Sequence, residues 1–205
     1  MVLFWHRRDL RIKDNAGLYK ALKENDEVQP IFIFDSSILS ELPRNDQRVR
    51  FIHQEVQEIK KKYQDFGADL KVYFGNPTKL IPEIALKLNA KKVYTNRDYE
   101  PYAHERDQNI FNALESLGIA FIGSKDHVIF EKNEVLKDDG LPYTIFTPYA
   151  RKWKAKLTEY HLKSYPTEQY AFHLIPQKRV ETLISLNELG FSDEIIHPFP
   201  SKKFQ

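Results

Sequence analysis

Residues 4–15 read Phe-Trp-His-Arg-Arg-Asp-Leu-Arg-Ile-Lys-Asp-Asn, and they run from an apolar strand, Val2 to Trp5, into the next segment without a glycine. A loop that grips phosphate after a first strand usually carries glycines, because the backbone must turn tightly and approach the ligand closely. Here the turn consists of Arg7, Arg8 and Arg11 with Asp9 and Asp14. Asp14 or Asn15 can cap a following helix that buries Leu18, Ala21 and Leu22.

Outward from this stretch, four further apolar runs appear: Val28–Phe34, Leu70–Phe74, Lys91–Tyr94 and Ile119–Ile122. They are β-branched or aromatic and continuous, as expected of strands covered on both faces. Helical patterns lie between them. Val49, Ile52, Val56, Ile59, Tyr63 and Phe66 recur at steps of three or four, and Gly67 stands where a left-handed terminating residue is wanted. Asn76-Pro77 opens a helix carrying Leu80, Ile84 and Leu88, in which Pro82 predicts a kink or a fresh start. Another helix follows Pro101 and ends at Gly118, with Ile110, Leu114 and Leu117 inward.

Strand and helix in fivefold alternation predict an α/β fold: a Rossmann-like, doubly wound, five-stranded parallel sheet in the order 3-2-1-4-5, with helices on both faces and an extended linker after it. In that topology ligands collect beyond the carboxyl ends of the strands, at the switch point. The rule selects the loops at 6–13, 35–48 and 96–106. After Ser124 the pattern weakens. Asp138-Asp139-Gly140 signals a turn, and Thr147-Pro148 should start a helix through about Leu157. From Tyr160 the chain carries Pro166, Pro176, Pro198 and Pro200 among scattered apolar residues. That composition suits a linker wrapping a domain, with one short helix near Val180–Glu188, and the chain ends without a stop signal.

The chain of 205 residues, 41% apolar and 29% charged, suits one medium soluble α/β domain. It has no long apolar run, no secretory pattern at its start and no cysteine. Those features make a cytoplasmic location the expectation and exclude disulfides and thiolate chemistry. A net charge of +2 is too small to imply nucleic-acid binding. The basic clusters at Lys60-Lys61-Lys62 and at Arg151, Lys152, Lys154 and Lys156 read as solvated helix faces.

No GxGxxG, Walker or GxSxG motif occurs, and His104-Glu105 lacks the second histidine of a zinc pair, so no metal site is assigned. Asp98 and Glu100 alternate along Asn96-Arg-Asp-Tyr-Glu-Pro-Tyr102 and would point to one side of an extended backbone. They could accept hydrogen bonds from a flavin-like ligand, or they could pair with Arg7, Arg8 or Arg11. Arg48 could reach a ligand anion, or form a salt bridge with Asp35. Trp5 and Phe34 offer flat surfaces at adjacent strand ends, with core packing the better reading of Trp5.

The opening string resembles the WHRRDLR…DN signature of the photolyase/cryptochrome family of blue-light flavoproteins. Phe34-Asp35, Arg48-Val-Arg-Phe, Gly75-Asn-Pro, Asn96-Arg-Asp-Tyr-Glu-Pro, Glu105-Arg-Asp and Tyr143-Thr-Ile-Phe-Thr-Pro-Tyr-Ala-Arg-Lys-Trp follow in order. Over residues 1–157 the chain is similar to the N-terminal antenna domain of class I DNA photolyases. The resemblance implies a photolyase-type α/β antenna-binding domain at 1–130, its trailing loop and helix at 131–158, and an interdomain linker at 159–205 leading to an absent helical FAD domain.

It further implies the light-harvesting domain of a deoxyribodipyrimidine photolyase, a carbon-carbon lyase of DNA repair. The segment itself would hold no catalytic residue. An antenna chromophore would pass excitation to FAD in the missing C-terminal domain, for repair of cyclobutane pyrimidine dimers. The cofactor-binding residues carried over are Phe34, Asp35, Leu39, Arg48, Asp98 and Glu100. Leu42-Pro43 and Tyr102-Ala103 stand where folate-binding members have a histidine and an Asn-Glu pair. A flavin or deazaflavin antenna is therefore expected in preference to methenyltetrahydrofolate. The implied partners are the chain's own FAD domain and, through the full-length protein, UV-damaged DNA, with no membrane and a monomeric state. The alternatives are the same domain of a cryptochrome signalling photoreceptor, or a stand-alone nucleotide-binding module.

Overall fold

The computed structural model describes residues 1–177 and 179–193. Five strands form one parallel sheet: β1 (Val2–His6), β2 (Val28–Asp35), β3 (Lys71–Gly75), β4 (Lys92–Asn96) and β5 (Ala120–Ser124). Their order, 3-2-1-4-5, agrees with the expected topology. Central β1 pairs with β2 from Val2↔Val28 to His6↔Phe32, and with β4 from Leu3↔Val93 to Trp5↔Thr95.

Because side chains alternate across a strand, β1 feeds two cores. Val2 and Phe4 join one with Leu18, Leu22, Val56, Ile59 and Tyr63, supplied by α1 (Ala16–Glu24) and α3 (Gln47–Asp65). Leu3 and Trp5 join the other with Ile81, Ile84, Ile110 and Leu114, supplied by α4 (Pro77–Lys87) and α5 (Pro101–Ser116). Every residue of β1 and β2 is buried, which is why these runs lack polar alternation.

Local signals account for the helix limits. Asn15 caps α1, its side chain accepting from the Leu18 N–H. Gly67 adopts φ +72° and closes α3 with bonds from Gly67 N to the Gln64 carbonyl and from Ala68 N to the Tyr63 carbonyl. Pro82 does not give the helix a fresh start: α4 continues through it. One lost backbone bond is offset by burial of Ile81, Ile84 and Ala85 around it. The α3 stripe also splits, for Val49, Val56, Ile59 and Tyr63 are buried while Ile52 and Phe66 stay substantially exposed. A single helical turn, α2 (Ser36–Leu39), follows β2 without having been anticipated.

Beyond β5 the chain forms α6 (Phe146–Lys156), close to the helix expected from Thr147, and a short α7 (Glu159–Leu162). A strap then runs back across the first core. Leu174, Leu186, Leu189 and Phe191 are buried, and Ile175 N bonds to the Val28 carbonyl. No helix spans 180–188; a turn covers 186–190 instead. Ser185 and Glu188 cap each other there and Gly190 (φ +89°) ends the turn, so the helical signal is real but one turn long. The stretch 194–205, with Pro198 and Pro200, lies outside the described residues. Among the described residues, no helix is long and apolar enough to cross a membrane.

Candidate functional site

Three strands end side by side at the switch point, and each ends on a polar residue one or two positions beyond its apolar run: His6, Asp35 and Asn96. Behind them the charged loop folds around a buried carboxylate. Asp9, 2% exposed, accepts from the Arg7 backbone N–H (2.8 Å), from Asn15 Nδ2 (2.9 Å) and from Asn96 Nδ2 (2.8 Å). Burial opposes its charge, but hydrogen bonds from His6, the Arg7 N–H and Asn15 outweigh this and hold the carboxyl below the ordinary carboxylate range. The Asp9 carbonyl can only accept, so His6 donates through Nδ1 (3.0 Å), leaving Nε2 2.6 Å from the Tyr63 hydroxyl of α3. Asn96 Oδ1 accepts from the Gly17 N–H at 2.8 Å, and a Cβ on Gly17 would lie 2.5 Å from that oxygen. The turn thus needs its glycine after the loop, inside α1.

The arginines disperse to different carboxylates. Arg7 makes a two-pronged pair with Asp107 of α5 (2.8 and 2.7 Å), and Arg11 does the same with Asp126 (2.9 and 2.9 Å). Arg8 alone meets the pair after β4, at 3.3 Å from Asp98 and 2.6 Å from Glu100. Of the two readings of those carboxylates, the ion pair is therefore present. The alternative salt bridge from Arg48 to Asp35 is absent. Arg48 turns back on Asp46, the cap of α3, at 2.6 Å, with its side chain 73% exposed. The lysine run also departs from a fully solvated face: Lys60 is buried and bonded to Asp69 (2.6 Å) and to the Leu70 carbonyl (2.9 Å).

Above these strand ends lies a cavity of about 500 Å³. Phe34, Asp35, Leu39, Arg48, Asp98 and Glu100 all line it, drawn from the end of β2 and two of the loops that the topology selects, and Arg7, Arg8 and Leu10 add the third. The apolar wall comes from β2, α2 and the first turns of α3, where Ile38, Phe51 and Ile52 complete the surface begun by Phe34 and Leu39. This explains why Ile52 departs from the buried stripe. The polar side comes from the loop after β1 and the start of α5. Tyr102 donates to Asp35 Oδ2 at 2.6 Å, and Arg106 lies 3.9 Å from the same oxygen. Desolvation first, and then the bond to Asp35, push the Tyr102 hydroxyl up to about 12, so it remains a donor at neutral pH. Arg106 sits over the rings of Trp5 (5.0 Å) and Tyr102 (5.5 Å). Asp35 also caps α2 through Ser37 N at 3.0 Å.

Residue-by-residue reasoning missed Tyr102 and Arg106 as parts of this wall. Their spacing of four on one helix face was the available signal. The volume lies within the range of small-molecule sites, and the lining has their usual character, apolar with a few converging polar groups. A flat heteroaromatic ring fits this chemistry. Phe34 and Leu39 supply apolar faces, Asp35 Oδ1, which already accepts from Ser37 N, keeps a lone pair for a ring N–H, and Trp5 Nε1 is a buried donor with no hydrogen-bond partner.

Fold and cavity together define a doubly wound α/β domain with a ligand crevice at its switch point. The family model for DNA photolyase matches residues 2–169, and the chain belongs to the DNA photolyase family. It is 36% identical over 155 residues to the deoxyribodipyrimidine photo-lyase of Synechococcus sp., covering 76% of this chain and 32% of that protein. It is 31% identical over 123 residues to a cryptochrome DASH of Synechocystis sp., covering 58% of this chain and 25% of that one. Among solved structures, the archaeal photolyase of Sulfolobus tokodaii superimposes with a TM-score of 0.67 at 27% identity, over 86% of this chain and 42% of its own. That structure holds two FAD molecules and implicates a novel light-harvesting cofactor. The chain thus spans about a third of the Synechococcus photo-lyase.

Proposed function

We propose that the switch-point cavity holds an antenna chromophore of isoalloxazine type, flavin or deazaflavin, in preference to methenyltetrahydrofolate. In the full-length protein this domain would pass excitation to FAD in a C-terminal helical domain, for light-driven repair of cyclobutane pyrimidine dimers in DNA. Residues 1–130 form the antenna-binding domain in this reading, 131–158 its trailing loop and helix, and 159–205 the link to the helical domain. One observation carries it: six residues scattered from Phe34 to Glu100 line a single cavity of suitable size and chemistry. The two FAD molecules of the Sulfolobus relative are in keeping with a tricyclic occupant.

When bound, the chromophore supplies absorption of blue light. The protein's share is to bury and orient it. Phe34, Leu39 and Ile52 exclude water from the ring faces, and Asp35, already fixed by Tyr102, offers its acceptor in one direction. Arg48 stands at the open rim, where it can exchange Asp46 for an anionic tail. Tyr102 is committed to Asp35 and presents no amide, in keeping with exclusion of a folate.

The test is titration of the purified chain with FMN, a deazaflavin and methenyltetrahydrofolate. The two tricycles should bind and the folate should not. Alanine at Arg48, Asp98 or Glu100 should weaken tricycle binding about five- to tenfold, the loss of roughly one ordinary hydrogen bond of about 1 kcal/mol, without unfolding the domain. Unchanged affinity in all three variants defeats the assignment. Loss of dimers under blue light by the full-length protein, loaded with reduced FAD, tests repair. The cryptochrome DASH match keeps a photoreceptor as the second reading, and persistence of the dimers in that assay would favour it.

A further inference from the structure

Trp5 has two identities in this structure. Its ring belongs to the second core, 2% exposed, yet the same side chain forms part of the cavity wall. Its Nε1 has no hydrogen-bond partner; among the buried side-chain nitrogens and oxygens of the described residues only Gln47 Oε1 shares that state. A buried donor without an acceptor is uncommon, because leaving it unmet costs the full desolvation of the group. The indole is also held in place: Arg7 and Arg106 each lie 5.0 Å from its ring, and both arginines are anchored on Asp107. Its ring orientation is thus fixed before any ligand enters.

We propose that Trp5 is a ligand-binding residue of the cavity, donating its Nε1–H to an acceptor on the ring system of the bound chromophore. This rests on the isoalloxazine reading above and deepens it. It requires the occupant to carry an unprotonated oxygen or nitrogen acceptor on its aromatic edge, which the pyrimidine carbonyls of a flavin or deazaflavin provide. Trp5 and Asp35 then meet different parts of the occupant, the indole donating to a ring acceptor and the carboxylate accepting an N–H. A merely apolar tricycle would leave the indole N–H unmet and would bind more weakly.

The experiment uses the whole chain, with its two tryptophans labelled with ¹⁵N in the indole ring. Trp153 lies in α6 against Phe130 and serves as the internal control. On addition of FMN or of a deazaflavin, the Trp5 indole N–H resonance should move downfield and exchange more slowly with solvent, while that of Trp153 stays in place. Trp5→Phe should weaken binding of the same chromophore about tenfold, the equivalent of about 1.4 kcal/mol, and shift its absorption band. A change in packing alone would move the melting temperature but not the band position. Chromophore binding that leaves the Trp5 resonance and the Trp5→Phe affinity unchanged overturns this inference and spares the site. Failure of both FMN and deazaflavin to bind the wild-type chain overturns the two together.

Discussion

Asp9 decides more of the local structure than any other charged side chain in the opening loop, because three donors from three parts of the chain converge on it. Its folded carboxyl is more acidic than that of an unfolded chain, whose value is near 3.9. The unfolded state therefore takes up protons first as pH falls, so the stabilisation is complete above about pH 5 and is lost progressively below it. Asp9→Asn should cost about 3 kcal/mol at pH 7, since an amide cannot accept from all three donors. The gap between variant and wild type in urea unfolding should narrow as pH drops from 5 towards 3. A gap that is constant over that range would show that the charge on Asp9 is not what matters. The sequence shows Asp9 as one of several loop charges and provides no sign that it alone is buried. Burial depends on Asn15 and Asn96, which lie 6 and 87 residues away.

At the scale of elements, strands and helices were legible because their signals are local: apolar runs, capping asparagines and terminating glycines. Gly67 is a fair example. Its φ of +72° lets α3 end with two bonds back to its last turn, and a Cβ there would meet nothing within 4 Å. Gly67→Ala should thus cost about 1 kcal/mol through backbone strain alone, read as a lower urea midpoint with unchanged slope. A loss of 3 kcal/mol or more would point to a clash that this geometry does not contain. Where local signals misled, packing was stronger. Pro82 is held within α4 by the buried residues around it, and the helix expected near Val180–Glu188 shrinks to a single turn at 186–190 that Gly190 ends. Ile52 follows the α3 period yet faces the cavity, because helix periodicity specifies a face but not what covers that face.

Across the whole molecule, the strap from Leu174 to Phe191 joins the first core to the cavity wall. Leu186, Leu189 and Phe191 are buried, and the Ile184 carbonyl lies 2.7 Å from His53 Nε2, whose ring stacks on Phe34 at 6.0 Å. Leu189→Ala should destabilise the domain by about 2–4 kcal/mol. A chain ending at residue 173 should melt earlier and also bind chromophore more weakly, because Phe34 loses the support behind His53. If such a chain kept wild-type stability, the strap would be only a passenger. By itself the sequence determined the alternation of elements, the parallel sheet, the strand order and the family, since hydrophobic period and ordered motifs are properties of short stretches. Only the tertiary structure decided which arginine meets which carboxylate, which polar groups are buried, and that six distant residues share one cavity. Those outcomes turn on differences of a few ångströms between strand ends tens of residues apart, and the opening loop, with its three interchangeable-looking arginines, carries no local signal that could rank them.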